Sequence, residues 1–547
     1  MIKKLNISIL ALFMVVVSSC KLDLLDNPNA VTTNNTDIDY LLSQIELRYA
    51  VHFNQMSDPG MRLTRQLNAG AAIYDNAVTP GGLDPAWNNA YADILNDVKT
   101  ILPLAEANGL LVHAGIARTI RASVLANLVD NFGDVPYTEA LDPANFNPKT
   151  DNGAAIYTAA IADLDKAAEN FAATSRAGAG TDLIFAGNAD SWTRTANSIK
   201  LKMLLNRRLI DRAGSTAAIN ALIAGGRLIS TTPQNFAFRY GSNLSNPDTR
   251  HPRYRDQYSP TGAGDYQSNS FMGTMFQSKG FPDPRMRYYF YRQTTANSAN
   301  VNEIRCITNL RPAHYTAADF FCYPTSVGYW GRDHLSNEGI PPDGLRRTAW
   351  GLYPAGGLYD NDANRPVSLG AGAGGAGIHP IMMRSFVDFM LAEAALTLGT
   401  TGDAKALLRS AIEKSMADVR ALAIASTEGG KIATYEADQR IVWATEVTRY
   451  VTKVMADYDA AATPDAKLGV IGTEYWIASY GNGVESYNLY RRTGKPAQQP
   501  ALEPNPGGFV RSFYYPTSFV ARNSSAVQKA NVTLPVFWDN NPAGFAK

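Results

Sequence analysis

Two stretches of this chain, 38 to 225 and 382 to 492, repeat apolar residues at helical spacing and are rich in alanine and leucine. Between them, 231 to 380 is broken throughout by glycine and proline. That contrast limits the fold strongly, because an amphipathic helix must bury its apolar stripe against another element. In "AWNNAYADILNDVKTILPLAEA", Trp87, Tyr91, Ile94, Leu95, Val98 and Leu102 share one face, with Asp84 as cap and Pro85 in the first turn. "LVHAGIARTIRASVLANLVDNFGDVPY" repeats Ile116, Ile120, Val124 and Leu128. Gly133 can take the left-handed conformation that ends a helix, and Pro136 prevents it resuming. Further helices are predicted over Ile156 to Phe171 and over "WTRTANSIKLKMLLNRRLID". The fold class is therefore all-α, mainly helical.

In "MMRSFVDFMLAEAALTLGTTGDAKALLRSAIEKSM" one helix ends near Leu398 and the next starts after a turn at Gly399 and Gly402. Antiparallel pairs of this size, with alanine at the close contacts, resemble tetratricopeptide repeats, although no strict repeat survives. The middle stretch holds 22 of the 55 aromatic residues, nearly twice the density elsewhere. It reads as loops laid over a helical body, with some short strands within 226 to 380, and not as a separate domain.

At the start of the chain, Lys3 and Lys4 precede an apolar run from Leu5 to Val17, the layout of an export signal. The run is shorter than the roughly 20 apolar residues that span a bilayer. Val17-Ser18-Ser19-Cys20 resembles a bacterial lipobox, so cleavage before Cys20 would leave an acylated cysteine at the mature terminus. An ordinary secretory signal with an incidental cysteine is the alternative. Each buried acyl methylene adds about 0.8 kcal/mol of membrane affinity, so several chains make a firm anchor. The expected organisation is a signal peptide over 1–19, a lipid-anchored flexible leader over 20–36 with Asn27-Pro28-Asn29 at its middle, and a single domain over 37–547.

Without Lys3 and Lys4 the chain carries 48 basic against 49 acidic side chains, a balance that argues against a nucleic-acid partner. Cys306 and Cys322 could close a loop whose chain entropy is worth roughly 3 kcal/mol in an oxidising compartment. Two buried free thiols are the alternative. A zinc site has less support than either, with no CxxC or clustered histidine. His52, His113, His251, His314, His334 and His379 form no HExxH or HxH spacing. "GAGGAG" at 372 to 377 fits GxGxxG without a strand before it and reads as a flexible loop. "DNDANR" opens like a calcium loop, but Arg365 replaces the needed glycine and Ala371 the bidentate glutamate. No GxSxG occurs, so no catalytic residue, metal or cofactor is expected.

In "EYWIASYGNGVESYNLYRRTGKP", Trp476, Tyr480, Val484, Tyr487 and Tyr490 read as the aromatic stripe of one buried helix, with Arg491 and Arg492 in its last turn suiting the helix dipole. This stretch resembles the "GxExWxxxRRTGxP" segment of the SusD/RagB family of outer-membrane lipoproteins. Gly483, Glu485, Arg491, Arg492, Thr493, Gly494 and Pro496 are in place, and Tyr487 stands where Trp is usual. "NFGDVPYTEAL" and "SFVDFMLAEAAL" are similar to two further family segments. "RSFYYPTSFVARN", with Phe519 in place of a Glu, and "VFWDNN" resemble the family's tail.

The resemblance implies a cell-surface lipoprotein that captures oligosaccharides, or in some members peptides, and acts as the lid of a SusC-like TonB-dependent transporter. It implies binding and not catalysis, and a helical body with tetratricopeptide-like pairs. Lys21-Leu22-Asp23 with Asp26 is a diluted form of the acidic signal that follows the cysteine in surface-exposed lipoproteins. Sugars present C–H faces to aromatic rings and hydroxyls to polar groups. The expected ligand contacts are therefore loop residues: Tyr329, Trp330, Trp350 and Tyr353, with Arg332 and Asp333 as polar partners. Tyr74, Asp75 and Asn76 in the first long loop join them. Two other readings are a surface glycoside hydrolase, which needs two facing carboxylates, and a structural transporter subunit with no ligand.

Overall fold

The computed structural model describes residues 37–338 and 342–547. The export signal, Cys20 and the leader up to residue 36 lie outside the described residues. The fold is helical, as the periodicity requires. The first body of helices comprises α1 (Ile38–Leu63), α2 (Asn96–Ala107), α3 (Leu111–Phe132), α4 (Gly153–Ala172), α5 (Ala189–Asn206) and α6 (Arg212–Gly225). Helix α3 is buried almost all round, and α1, α2, α4 and α5 all pack on it.

The second body comprises α7 (Arg384–Leu398), α8 (Ala404–Ile424), α9 (Trp443–Ala460), α10 (Pro464–Ala478) and α11 (Gly483–Thr493). Helices α7 and α8 form a tight pair, turned by Gly399 in the left-handed region at φ +72° and started again by the Asp403 side chain, which accepts from the Ala406 N–H.

The middle stretch leaves and rejoins the helical body at one place. Strand β1 (Phe236–Arg239) pairs antiparallel with β4 (Ile378–Met382), so residues 240 to 377 form an excursion whose two ends are held side by side. Inside it, β2 (Phe290–Tyr291) pairs with β3 (Ala349–Trp350). The glycine run ends this excursion. A Cβ on Gly372 would sit 2.2 Å from the Gly357 carbonyl oxygen, and one on Gly377 2.1 Å from that of Pro354. The run is therefore not the flexible loop expected but a close-packed one, where only glycine lets two backbones touch.

Two further expectations change. The aromatic stripe of "EYWIASYGNGVESYNLYRRTGKP" belongs to two helices and not one. Gly481 takes φ +93° between α10 and α11, and Asn482 caps the new helix by accepting from the Glu485 N–H. Arg491 and Arg492 stand in the last turn of α11, as expected, and both are buried. Asp84 lies within its helix rather than at the cap, its carboxylate accepting from the Ser518 N–H at 2.8 Å.

The shared segments meet in one buried network. Arg492 donates Nε and Nη2 to the two carboxylate oxygens of Glu393 on α7, at 2.7 and 2.8 Å, and Nη1 to Asn206 at the end of α5 at 2.8 Å. Arg491 donates to the carbonyls of Asp130 and Arg511, and its guanidinium lies 3.8 Å from the Tyr487 ring centroid. Asp130 also accepts from Asn488 and from the Trp538 indole. Tyr487, in place of Trp, donates its hydroxyl to the Val510 carbonyl at 2.7 Å and stacks on Phe513. Phe519, in place of Glu, packs on Trp87 at 4.7 Å.

Helix α11 crosses α1 with backbone against backbone at Gly60 and Gly483. A Cβ on Gly483 would lie 1.9 Å from the Ser57 carbonyl oxygen, and one on Gly60 2.1 Å from that of Gly483. Gly483→Ala is therefore expected to cost about 3 kcal/mol or more by overpacking. Gly430→Ala, where a Cβ meets nothing within 4 Å inside a helix, should instead stabilise by about 0.5–1 kcal/mol. Urea unfolding of the two variants checks this, and equal midpoints would show that the crossing is not tight.

Candidate functional site

The excursion carries a cavity of about 530 Å³ whose wall includes Cys306, Cys322, Trp330, Arg332 and Asp333. Its backbone is fixed to the body. Asn68, just after α1, donates its N–H to the Tyr266 carbonyl, and Arg332 donates to Gln267 while accepting from Asn269. Trp330 and Thr348 bond to each other through backbone and side chain. A disulfide joins Cys306 to Cys322, and Ile304, Cys322 and Trp330 form a small apolar cluster behind the cavity.

Asp343 holds the polar frame. It accepts from the Tyr266 hydroxyl at 2.9 Å, the Trp330 indole at 3.2 Å and Arg347 Nε at 2.7 Å. The guanidiniums of Arg332 and Arg347 lie 4.2 and 3.8 Å from the Tyr266 ring centroid, within cation–π range. Asp333 is 5% exposed and accepts from the Cys322 N–H at 3.0 Å and from Asn269 Nδ2 at 3.1 Å. Burial is the largest influence on its carboxyl and pushes the pKa up to about 6 against those two hydrogen bonds.

The expected ligand contacts divide among different places. Trp330, Arg332 and Asp333 come together at this cavity. Tyr74 lines a second one of about 500 Å³ with Arg65 and His314, and Glu503 borders both. Tyr74 accepts from Arg65 at 3.0 Å and lies 3.3 Å from Nε2 of His334, the residue that follows Asp333. Asp75 and Asn76 are exposed, and Asp75 accepts from the Tyr514 hydroxyl. Tyr329 lines a third cavity of about 500 Å³ with Arg287 and Trp443. Trp350 and Tyr353 are core residues that line none of these cavities: Trp350 stacks on Tyr480 at 4.6 Å, and Tyr353 on Tyr289 at 5.3 Å.

Sequence reasoning passed over Asn269, Glu303, Glu338 and Glu503, which also line the first cavity. Each sits in a different segment without a motif, so no local signal marks it. Five of the six histidines are buried: burial pulls His52 down to about 4 and His379 to about 3, with His251 and His334 also well below the usual value.

Solved structures share this architecture over most of its length. A SusD/RagB family protein from Bacteroides thetaiotaomicron superposes with a TM-score of 0.66 at 19% identity, over 93% of this chain and 100% of that one. A SusD homolog from Bacteroides uniformis gives 0.64 at 18%, over 92% and 100%. A SusD homolog from Flavobacterium johnsoniae, described as chitin-binding, gives 0.61 at 19%, over 91% and 99%. The fold is thus that of the SusD-like proteins. Family profiles match residues 32–323 as SusD-like, "starch-binding associating with outer membrane", and residues 379–539 as SusD and RagB outer membrane lipoprotein. This chain belongs to the SusD/RagB family of outer-membrane proteins. None of the curated proteins matches it.

The raised pKa of Asp333 has a defined pH signature. Between about pH 4 and pH 6 the folded state holds a proton that the unfolded state has lost, so this group's contribution falls as pH rises through that window. The loss is on the order of 2–3 kcal/mol and persists at neutral pH. Asp333→Asn removes it. The unfolding free energy of the variant relative to wild type should therefore rise between pH 4 and pH 7 in denaturant titrations, and a constant difference would contradict the assignment.

Proposed function

We propose that this protein captures oligosaccharides at the outer surface of the outer membrane and passes them to a SusC-like TonB-dependent transporter, over which it sits as a lid. The cavity at Trp330, Arg332 and Asp333 carries this reading: it is concave, held by a cross-link and a carboxylate-centred frame, and mixes an apolar wall with polar groups. The family description as starch-binding and the chitin-binding homolog support a glycan as the ligand. Binding without turnover is the activity, and Cys20, acylated after cleavage, is the anchor.

Calorimetric titration with oligosaccharides of glucose and of N-acetylglucosamine, and with peptide pools, tests the site. At least one glycan should bind saturably, and Arg332→Ala, which removes the guanidinium that ties the Glu338 carbonyl to the Tyr266 hydroxyl in the cavity frame, should weaken it about tenfold. Arg449→Ala, at the distant third cavity, should not. No binding to any pool would favour the structural-subunit reading, and shortened glycan products would favour a hydrolase. Cys20→Ala should release the protein from membranes with its circular-dichroism spectrum unchanged. Retention without the transporter would overturn the anchor.

A further inference from the structure

The first cavity is unbalanced in its hydrogen-bonding groups. Its side-chain donors are largely used by the protein. Arg332 donates to the Tyr266 hydroxyl and to the Glu338 carbonyl, Asn309 Nδ2 to Glu338 Oε1 at 3.3 Å, and Thr308 to the Arg305 carbonyl at 3.0 Å. Ser336 and Asn337 can still donate or accept.

Its acceptors are less fully used. Asn269 is 1% exposed and its Nδ2 is held by the Cys322 carbonyl and Asp333, which leaves Oδ1 buried at the wall without a partner. Exchanging O and N would face an oxygen to two acceptors, so that orientation is the favourable one. Such an orphan acceptor normally costs about 1–3 kcal/mol, a cost that a ligand donor would remove. Glu503, on the rim, forms no ion pair with any described residue. Glu338 keeps a second carboxylate oxygen, while Glu303 is paired to Arg346 at 3.2 Å. Around the opening Glu338 and Glu503 thus stand as carboxylates with no ion pair to a described residue, against Arg332 as the one guanidinium among the described lining residues.

Such a wall repels anionic ligands and rewards those that bring donors carrying positive charge. We infer that the ligand presents a protonated amine to Asn269, Glu338 and Glu503, and that the substrate class is an oligosaccharide with free 2-amino groups. This rests on the glycan-capture reading above. Phe321 and Leu502, which also line the cavity, supply the apolar surface that a sugar face requires.

The test titrates the purified protein at pH 6, where a sugar amine is protonated, with a glucosamine hexamer, an N-acetylglucosamine hexamer and a glucose hexamer. The glucosamine oligomer should bind at least about tenfold tighter than the other two, the gain of one charged hydrogen bond. Added salt should narrow the gap. Glu503→Gln, exposed enough to leave folding intact, and Glu338→Gln should each bring the amine to N-acetyl affinity ratio several-fold closer to one. An acetylated or neutral oligomer binding as tightly as the amine, or a ratio unmoved in both variants, overturns this inference while leaving glycan capture standing. Binding of lysine-bearing peptides with no sugar bound overturns the sugar class, and no binding at all overturns the capture reading with it.

Discussion

The structure depends on the buried pair between Arg492 and Glu393. Both side chains are shielded from solvent, and moving two charges out of water costs several kcal/mol per ion before any attraction is counted. The cost is offset here by geometry: two parallel hydrogen bonds to one carboxylate, a third to Asn206, and Arg208 at 3.4 Å on the same carboxylate. Attraction to these guanidiniums holds the Glu393 carboxyl below its ordinary value despite the burial. Because the partners lie on α11, α7 and α5, the pair admits one relative placement of the two helical bodies. The segments of this chain that resemble the family's carry Glu393, Arg491 and Arg492, and these residues hold the body together.

That body is what makes a loop-built site rigid. The excursion of residues 240 to 377 has little regular structure of its own, yet its ends are joined by β1 and β4 and its interior is tied to the chain after α1. Asp343 accepts from an indole, a phenol and a guanidinium at once, so three aromatic or cationic side chains share one orientation. Loops that carry their own polar frame can present ligand groups without the freedom that would make binding entropically costly. Neighbouring cavities bordered by Glu503 extend the surface available to a chain-like ligand.

Much of the helical body was legible in the sequence, and the places where it was not have physical causes. The stripe from Trp476 to Tyr490 kept helical spacing across a break, because the four residues from Ser479 to Asn482 preserve the phase while Gly481 turns the chain. Helix α3, buried on nearly every side, shows a weaker stripe than its central position warrants. Trp330 and Trp350 look equivalent as aromatic residues in a glycine-rich region. One borders a cavity and the other stacks on Tyr480 in the core, and only the fold separates them.

By itself the sequence determined the helical class, the family and the concentration of aromatic and charged residues around 329 to 333. These follow from periodicity and local stereochemistry, which act over a few residues. Tertiary structure decided that Asn269, Glu338 and Glu503 share a wall with Asp333, that Arg491 and Arg492 face inward, and that Trp350 is packing. Those outcomes depend on contacts between segments far apart along the chain, and a hydrogen-bond donor two hundred residues away leaves no mark on the local pattern it completes.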